Sequence, residues 1–179
     1  MNKISYLILV ILLTSCKDST VDIVNQSKPE MFFETEFINA AWVPTYQGKM
    51  IDQDGRIYFY NPEKNGASVL YHADEYYTER ELRAKYQHVK TYIRNISTDS
   101  LKWYYELATK VIINDFSDTA CGGYDMGSLV YSAYIYRSQI GKYQKIVLSQ
   151  EGDCAFYNKS ENAITLVTLL KKSLSSPFQ

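Results

Sequence analysis

The sequence predicts an α+β domain, with an antiparallel sheet made from at least two hairpins and about three helices packed on it. Two turn signals predict the hairpins, because Asp54-Gly55 and Gly141 each separate two runs rich in apolar residues. Helix signals lie between the hairpins and after the second one, so helices and strands are segregated along the chain. We expect a single α+β domain over residues 30–179, whose strand order is not readable from the sequence.

The start of the chain has the features of a secretory signal. Lys3 precedes the apolar run Leu7–Leu13, and the small polar residues Thr14 and Ser15 follow it. An apolar stretch of about ten residues is too short to cross the roughly 30 Å of a bilayer's hydrocarbon core as a helix. We therefore predict that residues 1–15 are a removable signal peptide.

The segment Leu13-Thr14-Ser15-Cys16 resembles the lipobox of bacterial lipoproteins, in which a branched apolar residue and two small residues precede a cysteine. The resemblance implies that the signal is cut before Cys16, that diacylglycerol is attached to its thiol, and that the new amino terminus is acylated. Each buried methylene contributes about 0.8 kcal/mol to membrane binding, so two or more chains anchor stably where one is marginal. The resemblance thus implies a mature protein held on an envelope membrane by lipid on Cys16.

The residues after Cys16 bear on sorting. Residues 16–29 are mostly polar, lack a period and end at Pro29, which predicts a lipidated tether. In many diderm bacteria an aspartate after the lipidated cysteine retains the lipoprotein in the inner membrane, so Lys17 favours the outer membrane. Lys17-Asp18 also partly resembles a surface-export signal of some diderm lineages, which leaves surface exposure open.

Charge and composition argue against a nucleic-acid partner. The chain has 19 basic and 20 acidic residues, interspersed without a run of like sign. Its most unusual count is 17 tyrosines, and tyrosine is common both in half-buried strands and in binding surfaces. We expect most tyrosines to be structural and an exposed subset to form a recognition surface.

Strand signals dominate the first part of the domain. Met31–Val43 is rich in aromatic residues and stops at Pro44, and periodicity does not separate a strand from a short helix there. Met50-Ile51 and Arg56–Tyr60 flank the Asp-Gly turn. We predict a β-hairpin centred on Asp54-Gly55.

Helices and a second hairpin follow. A capping box and an apolar stripe that reaches Ile93 predict a helix over about Thr78–Lys90, and the polar cluster Ser97–Ser100 predicts the start of another. A last helix is predicted over about Ser160–Ser173. The second hairpin combines these predicted segments: a strand over Leu129–Tyr136, a turn over Ser138–Lys142 and a returning strand over Tyr143–Ser149.

Cys121 and Cys154 are the cysteines left for an intrachain bond once Cys16 carries lipid. An oxidising compartment favours a disulfide between them. The alternative is a nucleophilic Cys121 in a glycine-rich turn, assisted by His72 or His88. Because the glycines precede a predicted strand rather than a helix, we favour the disulfide.

We expect no metal site and no cofactor. His72, Asp74 and Glu75 lack metal-ligand spacing, and Asp52–Gly55 lacks the later ligands of a calcium loop. The glycine patterns of serine hydrolases, P-loops and dinucleotide-binding folds do not occur.

The sequence therefore favours a non-enzymatic envelope lipoprotein that binds a protein or glycan partner. The candidates for its recognition patch are aromatic residues beside prolines or in loop-like stretches: Trp42, Tyr46, Tyr76 and Tyr77. Two alternatives stay open. One is an envelope hydrolase that uses Cys121 or an acidic pair, and the other is an inhibitor or immunity-type lipoprotein.

Overall fold

The computed structural model describes residues 31–39, 41, 45–61, 76–86, 90–123 and 125–174, and it confirms the α+β class. The strands are β1 (Met31–Asn39), β2 (Thr45–Asp52), β3 (Arg56–Tyr60), β4 (Tyr76–Tyr77), β5 (Lys90–Asn95), β6 (Ala120–Cys121), β7 (Ser128–Arg137), β8 (Lys142–Gly152) and β9 (Cys154–Tyr157). The helices are α1 (Glu79–Tyr86), α2 (Thr98–Thr109) and α3 (Glu161–Leu174).

The strands form one antiparallel sheet in the order β5-β3-β2-β1-β7-β8-β9-β6, and β4 pairs separately with β8. The segment that periodicity left undecided is thus the central strand β1, between β2 and β7. It joins the two hairpins into one sheet.

The first predicted hairpin is confirmed. Gly55 N donates to Asp52 O at 3.0 Å, and Gly55 has φ +77°, a left-handed conformation that glycine adopts without strain. The Asp52 carboxylate accepts from the backbone N–H groups of Asp54 and Arg56, each at 2.9 Å. The turn is therefore closed by the backbone of Gly55 and by the side chain of Asp52.

The predicted helix over Thr78–Lys90 is too long. Its capping box is confirmed, since Glu81 N donates to Thr78 Oγ1 and Thr78 N donates to Glu81 Oε2. The helix α1 ends at Tyr86, however, and Lys90–Asn95 forms the strand β5 against β3. Ile93 belongs to this strand and packs against the core from there. Pairing with β3 has overridden the helical spacing.

The other predicted helices and the second hairpin are confirmed, although α2 begins at Thr98, inside the polar cluster Ser97–Ser100 after which it was expected to start. Ser97 caps α2 by accepting from Ser100 N at 3.1 Å. The hairpin of β7 and β8 turns through Gly141, which has φ +64°. Helix α3 starts at Glu161. Just before it, Asn158 Oδ1 accepts a hydrogen bond from the backbone N–H of Ser160 at 2.9 Å. No helix within the described ranges is both long and apolar enough to cross a membrane.

The sheet buries side chains on both faces. On one face α2 and α3 cover the larger core, which includes Phe33 of β1 and Ile51 of β2. The opposite face carries a smaller core that is rich in tyrosine: Met50, Tyr60, Tyr77, Leu82, Tyr134 and Tyr143. Since side chains alternate along a strand, Glu34, the residue after Phe33, points toward this second core.

Candidate functional site

The predicted disulfide is confirmed, and it removes the thiol that a cysteine nucleophile would need. Cys121 of β6 and Cys154 of β9 are direct partners in the antiparallel pair, and their sulfurs are bonded at 2.03 Å. Gly122 N donates to Asp153 O at 3.2 Å beside the bond. The glycine-rich turn thus lies against the edge of the sheet and is held there by a covalent link.

The predicted aromatic patch is not one surface. Tyr77 is 3% exposed and is a core residue, so its place in an exposed patch was wrong, while its neighbour Tyr76 is 38% exposed. The two point to opposite sides because they are adjacent in strand β4. Tyr46 is half-buried and donates its hydroxyl to Glu36 at 2.6 Å. Trp42, like His72 and His88, lies outside the described residues.

Sequence reasoning missed a buried polar group on the tyrosine-rich face, which we call the glutamate cluster: Glu34, Glu36, Tyr46, Tyr60, Tyr134 and Lys145. Glu34 is fully buried, and each of its carboxylate oxygens accepts a phenol proton. Tyr60 donates to Oε1 at 2.7 Å, and Tyr134 donates to Oε2 at 2.6 Å. The two donors come from β3 and β7, on either side of β1 and β2.

Glu36 lies two residues further along β1 and is 1% exposed. Its Oε1 accepts from Tyr46, and its Oε2 accepts from the Lys145 ammonium in an ion pair. Charge-assisted hydrogen bonds of this kind are stronger than neutral ones, and a buried carboxylate needs them. Every oxygen of the two glutamates therefore has a donor.

Two tyrosines of the cluster, Tyr60 and Tyr134, stay protonated. Burial, and next the nearby Glu34 carboxylate, raises the pKa of Tyr60 and of Tyr134 well above the ordinary value of 10. Both phenols thus remain donors at any physiological pH. The cluster can hold five strands in register through polar contacts, but its carboxylates are sealed from a substrate in solution.

A second group of aromatic and polar side chains, exposed or half-buried, lies on the same face near the edge strand β5. We call it the β3–β5 surface: Asp54, Arg56, Tyr58, Tyr92 and Asn95. Tyr92 is 54% exposed. Its ring meets the half-buried ring of Tyr58 at 71°, with centroids 6.0 Å apart, and its hydroxyl donates to Asn95 Oδ1 at 3.3 Å. The strand pair β3–β5 aligns these residues because Tyr58 is opposite Tyr92 and Arg56 is opposite Asn95.

Two carboxylates share one guanidinium on this surface. Arg56 Nε bonds Asp52 Oδ2 at 2.7 Å, and its Nη2 bonds Asp54 Oδ2 at 2.6 Å. The hydrogen bond to Asp52, and next the charge of Asp52, raises the pKa of Arg56 above its ordinary value. Burial raises the pKa of Tyr58, and Asp52 adds to the effect. The two carboxylates differ in their exposure to solvent: the Asp52 side chain is 7% exposed and the Asp54 side chain is 50% exposed.

One sequence signal would have found this surface. Lys90–Asn95 contains Thr91, Tyr92 and Ile93, which are β-branched or aromatic residues that suit a strand better than the end of a helix. The glutamate cluster had a signal too, since Glu34 and Glu36 alternate with Phe33, Thr35 and Phe37, which are aromatic or β-branched residues.

A third feature is an exposed pair of isoleucines after α2. Ile112 and Ile113 are 62% and 37% exposed. The turn that carries them is braced, because Asn158 Nδ2 donates to Ile112 O and Lys159 N donates to Asp115 O, each at 2.7 Å. The pair is therefore held rigidly although it is in contact with water.

Within the described ranges, no group of three or more His, Cys, Asp or Glu side chains is arranged to hold a metal ion. In comparisons with known proteins, no family model, no curated protein and no solved structure matches this chain.

Proposed function

We propose that the protein is an envelope lipoprotein, anchored by lipid on Cys16, whose domain binds a protein or glycan partner close to the membrane. The lipobox-like segment Leu13-Thr14-Ser15-Cys16 supports the anchor. The Cys121–Cys154 disulfide supports a location outside the cytoplasm, because disulfides persist in oxidising compartments. Lys17 after the anchor favours the outer membrane.

The observation that carries the binding role is the exposure of Tyr92 on the edge strand β5, where it is paired with Tyr58 of β3. A ring that is 54% exposed gains little from folding, yet β5 holds it in place through β3 and through the contact with Tyr58. Rigid aromatic side chains lose little entropy when they are covered by a ligand, which makes them efficient anchors of binding surfaces.

A second candidate is an inhibitor or immunity-type lipoprotein that binds a protein. The exposed and braced pair Ile112–Ile113 favours it, since apolar side chains of this kind contribute to protein interfaces. A hydrolase is less well supported. Cys121 is oxidised in the disulfide, and the buried pair Glu34 and Glu36 is enclosed by its own donors.

A photo-crosslinking experiment in living cells tests the proposal. The full chain, expressed in a diderm bacterium, carries the amino acid p-benzoylphenylalanine in place of Tyr92 or, as a matched control, in place of Tyr157. Tyr157 is 53% exposed and lies on β9, far along the strand order from β5. We expect discrete adducts from position 92 and not from position 157.

The anchor is tested in the same cells. Cys16→Ala should abolish acylation and processing, and it should remove the adducts if the partner is met at the membrane. The crosslinker is also placed at Ile113, in the exposed isoleucine pair. If position 92 and position 113 both give no adducts in the acylated protein, the binding role is contradicted. Adducts from position 113 alone would favour the inhibitor or immunity-type candidate.

A further inference from the structure

We propose that the β3–β5 surface binds a neutral oligosaccharide, with Tyr92 as the platform on which a sugar ring lies. The inference rests on the proposed function, because it names the ligand class and the site of the binding domain. Its first support is the ring itself. Tyr58 and Tyr92 meet at 71° rather than stacking on each other, and half of Tyr92 stays accessible to a ligand. The C–H groups of a sugar pack on such an aromatic face.

The second support is the set of planar polar groups around that ring. The Asp54 side chain is 50% exposed and the Arg56 side chain is 46% exposed, and the Asn95 amide lies within reach of the Tyr92 hydroxyl. Carboxylate and amide groups have two hydrogen-bonding atoms in one plane, and a guanidinium has three, of which Nε and Nη2 of Arg56 already bond Asp52 and Asp54. Neighbouring hydroxyls of a sugar match that spacing, so a few such groups beside an aromatic ring orient the ligand.

The third support is charge. Among the side chains of this surface that the structure describes, the carboxylates of Asp52 and Asp54 outweigh Arg56, the cation with which they pair. Arg94, on the same strand as Tyr92, donates instead to Ser173 O at the end of α3, on the other face of the sheet. A surface with this balance repels polyanions such as uronic acid polymers or phosphorylated glycans. The ligand that fits it is a neutral sugar chain.

The backbone of β5 indicates that a ligand binds on the face of the sheet and does not add a strand to its edge. The register of β3 and β5 shifts between Ile57 and Tyr58, which leaves an extra residue on β5. Bulges of this kind bend an edge strand and hinder the addition of a further strand from a protein partner. The exposed side chains, not the open hydrogen-bonding groups, are thus the recognition elements here.

The test uses the full chain in detergent micelles and a panel of neutral hexose and N-acetylhexosamine oligomers, with uronic acid oligomers as the acidic comparison. We expect binding to at least one neutral series and weaker binding to the acidic oligomers. By calorimetry with the best neutral oligomer, Tyr92→Ala should weaken binding about tenfold, whereas Tyr92→Phe should stay within about threefold of the wild type. Tyr157→Ala, at equal exposure, should stay within about twofold.

Absence of binding to every neutral oligomer overturns the inference, as does a preference for the acidic series or an equal loss in Tyr92→Ala and Tyr157→Ala. Its failure is distinguishable from failure of the proposed function. If the panel is negative and crosslinks from position 92 lead to a protein, the binding role stands and the glycan is wrong. If the panel and all crosslinks are negative, both are wrong. Unchanged urea denaturation of Tyr92→Ala shows that loss of binding is not loss of fold.

Discussion

At the scale of single residues, the fold depends on one glycine beside the glutamate cluster. Gly48 of β2 pairs with Glu36 of β1 and with Tyr60 of β3. A Cβ on Gly48 would lie 2.3 Å from the backbone oxygen of Thr35 and 2.4 Å from the Tyr60 hydroxyl. Only glycine therefore leaves room for the phenol that donates to Glu34.

We expect Gly48→Ala to lower the free energy of unfolding by about 3 kcal/mol, because either the β1 backbone or the fully buried Tyr60 must move. Gly122→Ala is the matched control, since a Cβ there meets nothing within 4 Å, and it should change stability by less than about 0.5 kcal/mol. Urea denaturation followed by circular dichroism measures both variants. Equal effects of the two substitutions would contradict the packing argument.

What the sequence predicts well at this scale is chemistry that acts locally. The Asp54-Gly55 turn and the capping box of Thr78 and Glu81 need only neighbouring residues, and both form as predicted. The glutamate cluster was not predictable in the same way. Glu34 meets Tyr134 across 100 positions of the chain, and that contact exists only once β1 has joined the two hairpins.

At the scale of elements, the boundary between α1 and β5 also depends on contacts between residues that are distant in the sequence. The helical spacing that began at Leu82 continued formally to Ile93, so the sequence could not mark where the helix stops. The stop is set by β3, whose Tyr58 and Tyr60 pair with β5. The candidate binding surface was hidden in the sequence for this reason, because Tyr92 was counted neither as a strand residue nor as an exposed one.

The short element β6 depends on the disulfide more than any other. It has two residues, Ala120 and Cys121, and both are exposed. They pair with Ala155 and Cys154 of β9. The double variant Cys121→Ser, Cys154→Ser should lower the free energy of unfolding by about 3 kcal/mol, because the unfolded chain is no longer constrained. Urea denaturation measures the loss.

The wild type in a reducing agent provides the control for this variant. It should lose the same stability as the double variant, and the double variant should not respond to the reducing agent. A wild type whose unfolding midpoint is unchanged on reduction would show that the disulfide does not stabilise the domain.

At the scale of the whole molecule, the sheet separates two cores of different chemistry. The core under α2 and α3 is largely aliphatic, whereas the opposite core is built around phenols and the two glutamates. This arrangement accounts for much of the tyrosine-rich composition. Among the tyrosines whose side chains the structure describes, most are buried or half-buried, as the sequence predicted, and Tyr92 is one of the few that are more than half exposed.

The buried phenols make stability depend on alkaline pH. The pKa of Tyr131 is raised from 10 to about 12, first by burial and then by Glu151, and the pKa values of Tyr60 and Tyr134 are raised well above 10. Above pH 10 the unfolded chain loses these protons first, so the stability they contribute is lost as the pH rises through the folded values. Lys49 has the opposite effect on stability. Burial, and next the charge of Arg94, lowers its pKa below the ordinary 10.5, so its contribution to the free energy of unfolding rises with pH in that range.

We therefore expect the free energy of unfolding to fall between about pH 10.5 and pH 11.5, where the three phenols together outweigh the opposing contribution of Lys49, which fades above pH 10.5. Tyr131→Phe should reduce the slope by about 1 kcal/mol per pH unit, and its curve should run parallel to that of the wild type between about pH 7 and 9. Denaturant unfolding at each pH measures the slope. An identical slope in the two proteins would contradict the assignment to Tyr131.

We propose that this sheet is carried on a lipid anchor in an oxidising envelope, and intact-mass spectrometry tests that proposal most directly. The full chain is purified from the envelope of a bacterium that expresses it and is measured before and after reduction and alkylation. We predict a chain that begins at an acylated Cys16, with Cys121 and Cys154 alkylated only after reduction. A chain that keeps residues 1–15, a Cys16 without lipid, or alkylation of Cys121 and Cys154 without reduction would contradict it.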